Sequence, residues 1–309
     1  MMLRKLRLLF LLVAVISLTS CDEKGTDVKT VDTAAASIIT VNYPLYYFAQ
    51  QLAGDLATVI LPVPAGTDPA QWNPQLEDVL RMQQAELIIL NGAGYSTWLD
   101  KVSLSPNQLV NSSLDSKDQW IALDGQTTHS HGPGAEHSHS GYAFTTWMDL
   151  TLAKKQASAI ARALSQRWPA QQQAIALRET RLLETLTELD IAYQQLAVDL
   201  AGKNLIYSHP VYQYFERRYQ LAGESLHWEP GEMPSEKQWR YLQKRVAGKS
   251  DSLFIWEDEP STGIAERMAQ GMANMGLLSV VIRPAANTSS KDWLGEQQAN
   301  LKRLRDLAL

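Results

Sequence analysis

Four of the chain's six histidines, His129, His131, His137 and His139, fall within eleven residues. They lie in Thr127-Thr128-His129-Ser130-His131-Gly132-Pro133-Gly134-Ala135-Glu136-His137-Ser138-His139-Ser140-Gly141. Neutral imidazole suits Zn(II), Cu(II) and Ni(II), and four such rings close together can gather an ion. Gly, Pro and Ser leave the segment flexible, with no core of its own, so binding must also order the chain. Metal held there is expected to be held less tightly than in a preformed cage. The plain alternative is a low-complexity loop with weak metal affinity. The other two histidines are single. His209 closes the apolar run Leu205-Ile206-Tyr207-Ser208, and His227 stands in Glu224-Ser225-Leu226-His227-Trp228-Glu229-Pro230-Gly231-Glu232. A third apolar run, Leu253-Phe254-Ile255-Trp256, opens onto Glu257, Asp258 and Glu259. A lone strand-end histidine is commonly a hydrogen-bonded residue, and an acidic triplet commonly a solvated loop.

The one cysteine, Cys21, rules out an internal disulfide framework and a zinc site of several thiolates. No Gly-x-Ser-x-Gly elbow, His-Glu-x-x-His pair or P-loop is present, so no enzyme is expected. The net charge of −5 gives no electrostatic footprint for nucleic acid.

Cys21 has a context. Arg4, Lys5 and Arg7 precede an apolar run from Leu8 to Leu18, a secretory signal too short for a comfortable membrane span. The run closes on Leu18-Thr19-Ser20-Cys21, which resembles the bacterial lipobox, where cleavage precedes a lipid-modified cysteine. Residues 1–20 are therefore expected to be a lipoprotein signal peptide and 21–36 a flexible tether. Removing 1–20 takes the net charge to about −8. Asp22 after the cysteine resembles the signal that retains enterobacterial lipoproteins at the inner membrane. The expected location is the periplasmic side of that membrane, anchored by lipid at Cys21.

These groups need elements to position them. From Pro169 to Leu200, apolar residues recur at Ile175, Leu182, Leu186, Leu189, Tyr193, Leu196 and Leu200, one face of a helix. Arg178, Glu179, Arg181, Glu184, Glu188 and Asp190 read as its solvated face. The helix is roughly 48 Å long, enough to run across two small domains. Before it, strands are expected at 37–42, 57–63, 86–90 and 119–123, with helices at 46–54 and 74–84. After it, strands are expected at 203–208, 252–256 and 278–282, with helices at 211–219, 234–246, 263–275 and 291–308. This alternation predicts an α/β fold with parallel sheets, whose ligands gather at loops after the strand C-termini. With 309 residues the chain is long enough for two domains.

An ordered set of motifs runs through it: Tyr43-Pro44-Leu45, Gly54-Asp55, Pro64-Ala65-Gly66-Thr67-Asp68-Pro69, Ala85-Glu86-Leu87-Ile88, Asn91-Gly92 and Trp98-Leu99. The set resembles the zinc/manganese-binding lipoproteins of bacterial ABC importers, the cluster A-I substrate-binding proteins that include the zinc-uptake binding proteins. The resemblance covers the chain from Ile38 on. It implies two α/β lobes, 37–168 and 203–309, joined by one long rigid helix over 169–202, with a metal cleft between the lobes. The His-rich loop 127–141 sits where the zinc members carry one.

The family's ligand set is three histidines and a carboxylate, and here the chain departs from it. Ala70 and Asn73 stand where the family has the first histidine and a nearby glutamate, and Thr145 where it has the second histidine. Alanine cannot ligate, and threonine is a poor zinc ligand. The resemblance assigns His209 as the third histidine and Glu257, ahead of Asp258 and Glu259, as the carboxylate. His227 and Glu232 are possible replacements. Trp72, Trp147, Trp228 and Trp256 fall in or beside loops expected to face the cleft, where they would pack or hold an organic ligand.

Three readings follow. The leading one is a monomeric binding lipoprotein of a metal ABC importer, capturing Zn(II), with Mn(II) or another divalent ion as an alternative, for an inner-membrane permease. The second keeps the fold but binds a metal chelate or small organic molecule in the divergent cleft. The third is an interaction protein, an adhesin or a metal chaperone.

Overall fold

The computed structural model describes residues 36–123, 127–130, 136–139, 141–228, 231–272, 275–288 and 290–308. The signal peptide, Cys21, the tether up to Ala35, and His131 lie outside the described residues.

The first sheet is built from β1 (Ser37–Thr40), β2 (Thr58–Ile60), β3 (Leu87–Leu90) and β4 (Leu109–Asn111) in the order β2-β1-β3-β4, all parallel. The crossovers carry α1 (Tyr43–Ala53) and α2 (Leu76–Gln84). Asn42 starts α1 by accepting from the Leu45 N–H at 3.1 Å, with Pro44 in the first turn. A capping box between Gln75 and Asp78 starts α2.

Two differences from the expected elements stand out here. Residues 119–123 form no strand of this sheet; Ala122 makes an isolated antiparallel bridge to Tyr142, and the fourth strand is Leu109–Asn111 instead. The histidine segment is not structureless: β5 (Thr127–Ser130) and β6 (Glu136–His139) pair antiparallel, with His129 opposite His137 and Thr127 opposite His139.

A helix not anticipated, α3 (Leu150–Arg167), follows Asp149, whose side chain caps it by accepting from the Thr151 N–H at 2.9 Å. Its buried face mixes Leu150, Leu152, Ile160 and Leu164 with Ala153, Ala157, Ala159 and Ala161, whose small side chains let it lie close against its neighbours. The long helix α4 (Gln172–Leu200) follows a single turn at Pro169–Gln171. All seven apolar positions read from its periodicity are buried. Asp190 is a correction: it is buried as well, because Arg218 and the Tyr219 hydroxyl meet it there rather than water.

The second sheet has the order β10-β9-β7-β8, again all parallel, from β7 (Asn204–Tyr207), β8 (Gly223–Ser225), β9 (Ser252–Trp256) and β10 (Leu277–Val281). Between its strands run α5 (Gln213–Tyr219), α6 (Glu236–Val246) and α7 (Thr262–Met272), and α8 (Trp293–Ala308) closes the chain. One core runs from the first sheet along α4 into the second half, and a smaller aromatic core of Trp228, Trp239, Phe254 and Trp256 lies under α6 and α7. Trp72 packs edge-to-face on Trp98. Of the four tryptophans expected near the cleft, only Trp147 lines it; packing in a core claims the other three.

Candidate metal centre

The centre is assembled at the C-terminal ends of β7 and β9, which are neighbours in the second sheet. Ser208, buried, ties the two ends together. Its N–H donates to the Ile255 carbonyl at 2.8 Å, and its hydroxyl accepts from the Glu257 N–H at 3.1 Å. The next side chain along each strand then meets the other: His209 Nδ1 lies 3.3 Å from Glu257 Oε2. An imidazole and a carboxylate are thus held side by side, both mostly buried, by backbone that a regular parallel ladder fixes.

The facing wall comes from the first half of the chain. Asp68 accepts from the Ala70 N–H at 2.9 Å, shaping the Gly66–Pro69 turn, and Trp98 Nε1 donates to the Pro69 carbonyl at 3.1 Å. Thr145 and Trp147 complete this wall, and Trp147 Nε1 donates to the Pro284 carbonyl at 2.8 Å. Between the walls is a cleft of about 450 Å³ that His209, Glu257, Thr145 and Asp68 all line. Three of the four positions that the ligand pattern points to, Thr145, His209 and Glu257, therefore surround one space, while Ala70 is buried next to the lining residue Pro69. Alanine and threonine occupy the first-lobe pair, and the Thr145 hydroxyl already donates to the Val211 carbonyl at 2.7 Å.

The cleft carries more acid than base. Arg283 enters it, bound to Asp258 at 2.7 Å, Glu259 at 3.0 Å and Glu296 at 3.2 Å. Burial holds the Tyr95 phenol well above its ordinary range, with the Asp68 charge adding to the effect, so the aromatic wall of Tyr95, Phe144 and Trp147 is neutral. An acidic cleft of this kind favours a cation as guest.

The other candidates are placed differently. The His227 ring centroid is 6.4 Å from that of His209, yet its side chain faces a separate groove and is exposed. Glu232 is exposed on the following loop. The backbone of His129, His137 and His139 lies in the β5–β6 hairpin. Among the described residues, no group of three or more His, Cys, Asp and Glu side chains is arranged to hold a metal. A tetrahedral Zn(II) shell has four donors, and the His209–Glu257 pair offers two groups of the right chemistry. Sequence reasoning named Ser208 beside His209 but not its tie to the Glu257 N–H, and it missed Arg283, since an arginine between Ile282 and Pro284 carries no motif.

The sequence profile of the family described as zinc-uptake complex component A, periplasmic, matches residues 38–307. The zinc-binding lipoprotein AdcA of Streptococcus pneumoniae is 23% identical over 312 residues, covering 98% of this chain and 60% of that protein. The chain thus spans about 60% of the length of this relative. The high-affinity zinc uptake system protein ZnuA of Bacillus subtilis is 23% identical over 303 residues, covering 94% of this chain and 90% of that one. Among solved structures, the Zn(II)-bound ZnuA-like domain of Streptococcus pneumoniae AdcA superposes with a TM-score of 0.72 at 22% identity, covering 88% of this chain and 98% of that one. That likeness establishes the fold: two parallel-sheet lobes and a long helix.

Proposed function

Because the chain belongs to the family of periplasmic zinc-uptake component A proteins, we propose that it captures Zn(II) in the cleft and presents it to an ABC permease. The family is one of non-enzymatic transport components. The observation that carries the reading is the His209–Glu257 pair, 3.3 Å apart at the ends of adjacent strands and facing the acidic cleft. Zn(II) is the cargo; His209 and Glu257 are its ligands from this chain, and the histidines of 127–141 gather ions near the cleft without forming the cage. His227, beside His209, is the nearest further imidazole. The working division is 37–168 and 203–309 as lobes about the helix over 169–202.

No helix among the described residues is long and apolar enough to cross a membrane. The proposed attachment rests on Leu18-Thr19-Ser20-Cys21: lipid at Cys21, with the lobes as a monomer on the periplasmic face.

Calorimetric zinc titration of the lipid-free mature protein tests this reading, beside His209→Ala and a variant lacking 127–141. Binding is expected to survive loop deletion and to fall about tenfold or more with His209→Ala. Unchanged affinity in His209→Ala would overturn the site. Parallel titrations with Mn(II) show whether the pair discriminates between the ions.

A further inference from the structure

A second cavity, of about 600 Å³, lies on the outer side of the second lobe between β8 and α6. Its α6 wall presents Lys237, Arg240 and Lys244. Their spacing of three and four residues puts all three on one helical face. All are exposed, and none makes an ion pair or hydrogen bond among the described residues. Other cations nearby are engaged: Arg245 pairs with Glu224, and Arg267 with Glu236 at 2.7 Å. Among the described residues Glu224 is the one acid lining the cavity, and it is taken up by Arg245 and by the Tyr241 hydroxyl. Three uncompensated cations in one groove stand out in a chain whose net charge is −5.

The opposite wall is β8, the outermost strand of the sheet; the Gly223 N–H is taken by Glu216 and the His227 carbonyl accepts from Gln238 of α6, which leaves the main chain of Ser225 between them. The Leu226 N–H donates inward to the Tyr207 carbonyl at 2.8 Å. In a parallel ladder alternate residues bond the same neighbour, so Ser225 turns its N–H and C=O outward into the groove. Residues 224–228 line the cavity continuously, with buried Leu226 and Trp228 at its base. A sheet edge facing a row of cations suits an extended chain with acidic side chains. From Lys237 to Lys244 the helix rises about 10 Å, while carboxylates at three alternate strand positions span about 13 Å, a difference that long Lys and Arg side chains can bridge. The groove ends at His227, beside His209, so whatever fills it lies against the rim of the metal cleft.

We propose that this groove docks an extended acidic segment of the membrane partner that receives the cargo, adding a strand to β8 and pairing its carboxylates with Lys237, Arg240 and Lys244. The proposal rests on the transport reading above, and it adds which face meets the partner and what chemistry that partner presents. A groove with a strand edge favours a peptide over a lipid headgroup, because a headgroup makes no use of the Ser225 main chain.

The test uses the zinc-loaded mature protein and a fluorescein-labelled peptide of four Glu-Thr repeats, read by anisotropy, with four Lys-Thr repeats as control. The acidic peptide is expected to bind in a salt-dependent way. Affinity should fall about tenfold or more in the triple variant Lys237→Gln, Arg240→Gln, Lys244→Gln, and also in Ser225→Pro, which removes the outward N–H. Zinc affinity and melting temperature should be unchanged in both variants. Equal peptide binding by the triple variant overturns the proposal. So does a loss confined to the triple variant, with Ser225→Pro unaffected and phosphatidylglycerol vesicles bound equally well, since that describes a charged patch for lipid. Peptide binding that persists in a protein with no zinc affinity would instead sink the transport reading and leave the groove standing.

Discussion

The Thr145 hydroxyl donates to the Val211 carbonyl at 2.7 Å, joining the two walls of the cleft at a position where the metal-binding pattern calls for a histidine. A group that would be a ligand has become a bolt. Buried at the Thr145 end and half-buried at Val211, such a bond contributes about 1 kcal/mol, so Thr145→Val should lower stability by that amount and leave zinc affinity nearly unchanged. Replacing both first-lobe residues, Ala70→His with Thr145→His, puts one imidazole into the space that already holds His209 and Glu257 and a second at its edge, at buried Ala70 next to the lining residue Pro69. Calorimetry should then show zinc affinity raised about 100-fold or more. No gain would mean that the first-lobe wall cannot bring imidazoles to bear on the His209–Glu257 pair.

The rim of the cleft also carries a pH-sensitive tie. Burial raises the Glu296 carboxyl, but hydrogen bonds from Arg303 at 2.9 Å and Arg283 at 3.2 Å outweigh it, and the net shift is below the ordinary 4.5. The unfolded chain therefore takes up this proton first as pH falls. The stabilisation is complete above about 4.5 and is lost as pH drops through the lower folded value. Glu296→Gln should cost about 2 kcal/mol in urea unfolding at neutral pH. The difference from the parent should shrink in acid, below the unfolded carboxylate range. A difference that persists undiminished in acid would assign the loss to packing rather than charge.

Gly92 fixes the turn after β3 at φ +81°. A Cβ there would collide with the Ser113 hydroxyl and the Asn111 side chain. Ser113 donates to the Asn91 carbonyl at 2.6 Å, and the Asn91 amide donates to the Phe144 carbonyl at 2.8 Å on the cleft wall. Gly92→Ala combines left-handed strain with a buried clash and should cost about 2 kcal/mol or more by denaturant unfolding. Because Phe144 hangs on the same network, zinc affinity should weaken too. Retained stability would mean that β4 can shift to make room.

What the sequence made legible follows the size of the signal. The face of α4 could be read because leucines and a tyrosine recur at helical spacing over 29 residues. The neighbouring α3 escaped because between Leu152 and Ile160 its buried positions are Ala153, Gln156, Ala157 and Ala159, which periodicity registers weakly although they pack well. β4 escaped because three residues after Pro106 and Asn107 make no pattern, while the longer apolar run at 119–123 attracted the strand assignment. At the site, a strand ending in histidine and a strand ending in glutamate were visible, but their 3.3 Å approach depends on β7 and β9 being neighbours. That is a fact of topology. For the tryptophans the reading left packing or a ligand wall open: Trp72, Trp228 and Trp256 pack in the cores and Trp147 lines the cleft, a division that loop position alone does not show.

Asp190 shows the same limit on α4, and it yields a direct test. Flanked by Glu188 and one turn before Gln194, it reads as solvated, but its side chain is 5% exposed and accepts from Arg218 Nε at 3.0 Å, Arg218 Nη2 at 2.5 Å and the Tyr219 hydroxyl at 3.1 Å. Lys154 of α3 approaches at 4.0 Å, so one carboxylate ties the long helix to α3 and α5. Its geometry is bidentate and largely removed from water, unlike the surface pairs that contribute little. Asp190→Ala leaves Arg218 half-buried without its counter-charge and should cost about 3–5 kcal/mol by urea unfolding. A double-mutant cycle with Arg218→Met separates the pair from the packing. A second substitution that adds little to the first would place the cost in the unpaired arginine. Full additivity would show that the pair is not coupled and that Asp190 acts through Tyr219 or Lys154 instead.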